Sequence, residues 1–265
     1  MAGWTNPLLS WKLEVQKGAI KRHSIWTALG ERESMGTTAS GEDVWRGNEL
    51  SPAPTSHTTI PTPAAAGELM TIVSESQADN GTSATGALTV DIHYLDPDGD
   101  QQEITVTLNG TTPVNIPVIL MRFINDSHVE TVGSGGVAAG HIKIYKTGTV
   151  GLVYNMIAAG GNKSLVPHRM VPRAHTLYLQ GWSCSEAQGK RAAFRIRSTD
   201  HHGGLYPGVF IFKGTSYITI TASGELTLGD TIPALSIVKV SAWAIANGAE
   251  GSCSWWGVLV DDRIA

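Results

Sequence analysis

Apolar and polar positions alternate with a period of two in several short stretches of this chain, and no helical period of useful length appears. Leu88, Val90, Ile92 and Tyr94 are separated by Thr89, Asp91 and His93. After Asp96-Pro97-Asp98-Gly99-Asp100 the alternation resumes, with Ile104, Val106 and Leu108 against Thr105, Thr107 and Asn109. Two alternating runs on either side of an Asp/Pro/Gly cluster predict an antiparallel hairpin that turns at the cluster. Asn109-Gly110 predicts a further turn, and Gly133-Ser134-Gly135-Gly136 a loop ahead of Ile142 and Ile144. Further on, Leu177 and Leu179, Phe194 and Ile196, Val209 to Phe212, Tyr217 to Ile220, Ile237 to Val240, and Trp255 to Val260 read as short strands between turn residues. That spacing predicts a sandwich or jelly roll. No exact internal repeat is present, which argues against solenoids and propellers.

The first 67 residues read differently. Leu9, Trp11, Leu13 and Val15 alternate with Ser10, Lys12, Glu14 and Gln16, which predicts one half-buried strand. The rest runs into Ser51-Pro52-Ala53-Pro54 and Ile60-Pro61-Thr62-Pro63, where proline keeps the backbone extended. Four of the eight tryptophans lie here: Trp4, Trp11, Trp26 and Trp45. Large aromatic side chains on an extended chain need a surface supplied by later domains or another subunit. The expected organisation is therefore all-β: an extended N-terminal arm over 1–67, a first β-sandwich domain over 68–162, and a second, jelly-roll-like domain over 163–265.

Composition narrows the class. Of 265 residues, 16% are charged and 30 are glycine, which disfavours coiled coils, helical bundles and charge-rich disordered chains. A net charge of -4 removes the electrostatic case for wrapping nucleic acid. No run approaches the roughly 18 consecutive apolar residues of a membrane helix. The start, Met1-Ala2-Gly3-Trp4, lacks the basic and apolar regions of a secretory signal, so synthesis in a cytoplasm is the expectation. Cys184 and Cys253 lie in strand-like runs and read as two buried thiols, with a bridge between neighbouring strands as the alternative.

Candidate chemistry is sparse. Asp96, Asp98 and Asp100 form either an ordinary acidic turn or a weak calcium site; the twelve-residue calcium loop with its terminal glutamate is missing. His201-His202-Gly203-Gly204 is read as a polar loop, since no G-x-S-x-G elbow accompanies it. His128 with Glu130 and His141 with Lys143 fall at outward positions of strands. Lys190, Arg191, Arg195 and Arg197 form a basic patch, read as a solvated face, then as a dock for an acidic protein surface, then for nucleic acid. Asp200 with Glu225 and Asp261 with Asp262 are acid pairs by composition alone. No cofactor, no metal site and no enzymatic activity are expected.

Particular strings carry a resemblance. Gly41-Glu42-Asp43-Val44-Trp45-Arg46-Gly47, Gly81-Thr82-Ser83-Ala84-Thr85-Gly86-Ala87, Glu103 to Thr112, and Gly133-Ser134-Gly135-Gly136 with Gly140-His141-Ile142 resemble a group of tailed-bacteriophage virion proteins. In that group a short Asp/Trp motif follows an N-terminal arm and precedes a Gly/Thr-rich β domain. The likeness covers the middle of the chain well and the last hundred residues loosely, through Ile232-Pro233-Ala234 and Ile237 to Val240; Val171-Pro172-Arg173-Ala174-His175 departs from the group's proline-glycine entry turn. It implies a non-enzymatic capsid decoration, or cement, protein acting as a homotrimer on the major capsid protein or another virion protein. Its arm would dock through Trp4, Trp11, Trp26, Trp45 and Arg46. No membrane or direct nucleic-acid partner is implied. The alternative is a neck, tail-fibre, adaptor or host-binding subunit, with Tyr206, Trp182 or Trp243 as exposed aromatics for a glycan.

Overall fold

The computed structural model describes residues 13–37, 42–45, 62–82, 85–117, 119–199, 210–218, 223–245 and 248–263. The regular secondary structure of the described residues is almost entirely antiparallel β, as the alternation predicts. Four strands, β3 (Met70–Ser74), β6 (Val114–Asn115), β8 (Ile142–Lys146) and β9 (Val153–Ile157), form one sheet in the order β6-β3-β8-β9. Three more, β4 (Ala87–Leu95), β5 (Gln101–Thr107) and β7 (Phe123–Val132), form a second in the order β5-β4-β7. Met70, Ile72, Val90, Ile92, Val106, Ile142 and Ile144 interdigitate between them as one buried core. Period two does the work here, because alternate residues of each strand reach the same interior.

The second sandwich is built from β11 (His175–Glu186), β14 (Ser223–Ile232) and β16 (Ala249–Asp261) on one side. Facing them are β10 (Arg169–Met170), β12 (Ala192–Ser198), β13 (Ile211–Ile218) and β15 (Ile237–Ala244), in the order β10-β15-β12-β13. Leu177, Leu179, Trp182, Phe194, Ile196, Val240 and Trp255 fill its core.

The N-terminal region departs from the expected arm. Strand β1 (His23–Met35) pairs antiparallel along β16, from His23 opposite Val260 to Met35 opposite Ala249, and becomes the edge of the sheet β1-β16-β11-β14. The two-residue β2 (Glu42–Asp43) pairs with β15. Period-two reading misses β1 because its inward positions include Ala28, Gly30 and Arg32, which carry no apolar signal. Gly30 is required there: a Cβ would stand 2.5 Å from the Val44 carbonyl and 2.6 Å from Pro167 Cγ. Of the strand predicted around Leu9 to Val15, residues 9–12 lie outside the described residues and the described end is corrected. Residues 13–16 form a helical turn closed by Lys17 N donating to Leu13 O at 2.9 Å, with Val15 buried and Leu13 exposed.

Two apolar clusters join the sandwiches. Leu95 and Phe123 of the first pack with Met170, Phe210 and Ile237 of the second. Trp45 packs with Tyr145, Val153, Met156 and Val166. Side chains from both sandwiches are thus desolvated together, which couples the two cores.

Candidate interface and side-chain clusters

Two of the predicted docking residues, Trp26 and Trp45, are among the described residues. Trp26 packs edge-on against Trp255, ring centroids 5.7 Å apart, against the core of its own chain. Trp45 is 1% exposed and meets the ring of His168 edge-on at 5.3 Å. Strands β1 and β2 carry this segment onto the second sandwich of the same chain. Trp4, Trp11 and Arg46 lie outside the described residues.

The acidic turn sits where the hairpin reading puts it. Asp96 N donates to Asp100 O at 3.1 Å, and Asp96 Oδ1 accepts from Asp100 N at 3.0 Å. Gly99 takes φ +87°, and a Cβ there would stand 2.5 Å from Leu235 Cδ2 of the second sandwich. Asp100 forms an ion pair with Arg173, whose amide donates to Gly99 O at 2.8 Å. The Arg173 guanidinium lowers the Asp100 carboxyl below its ordinary range. Asp98 is exposed. The three aspartates do not converge: two bind their own turn or Arg173, so the turn works as a clasp between sandwiches.

Between the sandwiches runs a groove of about 470 Å³, bordered by Trp26, His93, Glu103, Asp126, Lys163 and Arg169 among others. Asp126 anchors it, with Oδ2 3.0 Å from Lys163 Nζ and 3.3 Å from Arg169 Nη2, and Oδ1 accepting from Ser164 Oγ at 3.0 Å. Burial alone would raise this carboxyl; the two cations and the hydroxyl overcome it and hold the group below its ordinary range.

The expected solvated basic face is corrected too. Arg197 is 1% exposed, with its guanidinium 4.4 Å from the centre of the Phe212 ring. Arg195 lies between Phe212 and Trp243, at 4.6 and 4.4 Å from their ring centres. Arg197 is held down to about 10 by burial and by Arg195. Beside it, Lys239 donates to Asp43 Oδ1 at 2.8 Å in a pair with 0% exposure on either side, and its Nζ lies 4.5 Å over the Phe210 ring. Trp182, proposed as an exposed glycan contact, is 1% exposed in the second core. Trp243 is half-buried under Arg195, and Tyr206 lies outside the described residues. Of the acid pairs, Asp261 binds Arg263 at 2.8 Å and Asp262 accepts from Thr176 Oγ1 at 2.6 Å; Asp200 and the Glu225 side chain lie outside the described residues. Cys184 and Cys253 are buried thiols, not joined by a disulfide, opposite each other on β11 and β16.

One constellation has no counterpart in the sequence reading. Asp91 and His93 sit two apart on β4, and His128 lies opposite Asp91 on β7. Their ligand atoms all lie within 4.8 Å of one another, the only such trio of His, Cys, Asp or Glu among the described residues. The signal was present in Asp91-Ile92-His93, but the partner strand was needed to supply His128.

No family model matches the chain, and no curated protein matches it. Among solved structures it is weakly similar to the infectious bursal disease virus Gx strain, at 11% identity over 92% of this chain and 74% of that one, with a TM-score of 0.28. It is weakly similar to the infectious bursal disease virus VP2 subviral particle, at 8% identity over 92% and 73%, with a TM-score of 0.21. Naturally occurring empty particles of cowpea mosaic virus match at 7% identity over 81% and 94%, with a TM-score of 0.20. These TM-scores lie below those of a shared fold.

Proposed function

We infer that this chain is a non-enzymatic structural subunit of a tailed-phage particle, a capsid decoration protein that assembles as a homotrimer on the major capsid protein. The observation that carries the reading is the edge strand β13. It ends the order β10-β15-β12-β13 and presents Ile211, Phe212 and Tyr217 at 50%, 53% and 70% exposure. Apolar side chains on a sheet edge without a second strand partner among the described residues favour docking on another subunit. The phage-like strings agree, and several of them map to structural duties: Asp43 and Trp45 are buried in the junction between sandwiches, and Gly140 donates to a buried carboxylate. The charged clusters described above are spent on ion pairs within the chain, which fits a scaffold better than a catalyst.

The subunit adds buried apolar area at capsid seams, and repetition over many copies makes a modest contribution per copy large in sum. Quantitative mass spectrometry of purified particles tests the position. A decoration protein is present in hundreds of copies, whereas about a dozen would move it to the neck or tail. Absence from purified particles would overturn the virion reading altogether.

A further inference from the structure

We propose that Asp91, His93 and His128 form a binding site for a divalent transition metal of the zinc class, closing β4 onto β7 on the outer face of the first sandwich. Val90 and Ile92 point into that sandwich's core, so Asp91 and His93 share the opposite face. Register places His128 opposite Asp91 and Glu103 opposite His93. The donor set is therefore a product of antiparallel pairing, assembled from three adjacent strands.

The geometry suits a small ion. A tetrahedral site with metal-ligand bonds of about 2.0–2.1 Å places neighbouring donor atoms about 3.3 Å apart. Asp91 Oδ2 lies 3.2 Å from His93 Nε2 and 3.9 Å from His128 Nε2. Glu130 Oε2, 3.4 Å from His128 Nε2, is within reach of the fourth position. Glu103 Oε2, 3.7 Å from His93 Nδ1, faces the ring nitrogen that a coordinating histidine presents to a carboxylate. The two imidazoles are already near-parallel, 5.5 Å apart at 22°. Asp91 is 5% exposed by its side chain while the histidines are 42% and 35% exposed, so an ion arriving from solvent meets the rings with the carboxylate beneath. Asp91, Glu103 and Glu130 bring three carboxylates to the cluster, which suits a cation. Two nitrogen donors select zinc-like ions over calcium or magnesium, which take oxygen ligands.

Isothermal titration of the full chain with zinc chloride tests the site, with calcium chloride as the control. One saturable zinc equivalent is expected, with no response to calcium. His93→Gln and His128→Gln should each weaken zinc binding more than about 100-fold, beyond the loss that removing an outer partner causes, and Glu103→Gln should weaken it about 10- to 100-fold. These histidines are part-exposed, so the metal-free variants should keep the unfolding midpoint of the parent chain. Cobalt added to the unmodified chain supplies a readout independent of any variant: an intense visible absorption marks tetrahedral nitrogen and oxygen ligation. Absence of saturable zinc binding, binding unchanged in both histidine variants, or a faint octahedral cobalt spectrum would each overturn the proposal.

Discussion

Asp79 shows how a single carboxylate organises a loop region. It is fully buried, and its oxygens accept from Ala87 N at 2.7 Å, Ala139 N and Gly140 N at 2.8 Å, and Ser74 Oγ at 2.6 Å. Segments more than fifty residues apart are thereby tied to one side chain. Asp79→Asn keeps the size but replaces an acceptor oxygen with a donor facing donors. It should cost about 3 kcal/mol, read as a lowered midpoint of denaturant unfolding with unchanged slope. His168 gives a pH dependence. Burial, reinforced by Lys239 and Arg169, holds its pKa well below 6.5. The unfolded chain then binds a proton below pH 6.5 that the folded chain refuses, so stability falls as pH drops through that value. The loss from this group should approach about 1.4 kcal/mol per pH unit, and His168→Phe should remove that part of the slope in unfolding curves taken between neutral and mildly acid pH. Neither role was legible in the sequence. Asp79 lies in no alternating run, and His168 owes its burial to Trp45 and Phe123, which are remote along the chain.

At the scale of elements, legibility followed side-chain chemistry. The β4–β5 hairpin was readable to the residue, because Val90, Ile92 and Val106 alternate with polar neighbours and the Asp/Pro/Gly cluster marks the turn. Strand β1 was not, since it is held by backbone pairing to β16 and by small inward residues where close approach matters more than hydrophobicity. The helical turn at 13–16 was misread because Leu13 and Val15, two apart, satisfy the period-two template as readily as they fit one helical turn. The consequence concerns truncation. A chain starting at residue 13 should keep its cooperative thermal transition, whereas one starting at residue 37 loses β1, uncovers Trp255 and exposes the β16 edge. That shorter chain should lose near-ultraviolet tryptophan dichroism and aggregate, and a cooperative transition unchanged from the full chain would contradict the placement of β1.

For the whole molecule, the pairing of β1 and β2 with the second sandwich bears on where a candidate assembly surface lies. Trp26 and Trp45 pack against their own chain, and in the proposed assembly the docking contact is the β13 edge. Introducing charge on that edge separates assembly from folding. Ile211→Asp with Tyr217→Asp should leave the thermal midpoint of the monomer within a few degrees while sedimentation shows loss of the trimer. Retention of the same assembly in the double variant would rule out β13 as the contact.

The central claim, a subunit on the outside of a phage head, is tested most directly by imaging particles that carry a bulky label fused to this chain. The expected result is label density distributed over the capsid surface with the symmetry of the capsid lattice. Density confined to the neck or tail, or particles with no label at all, would contradict it.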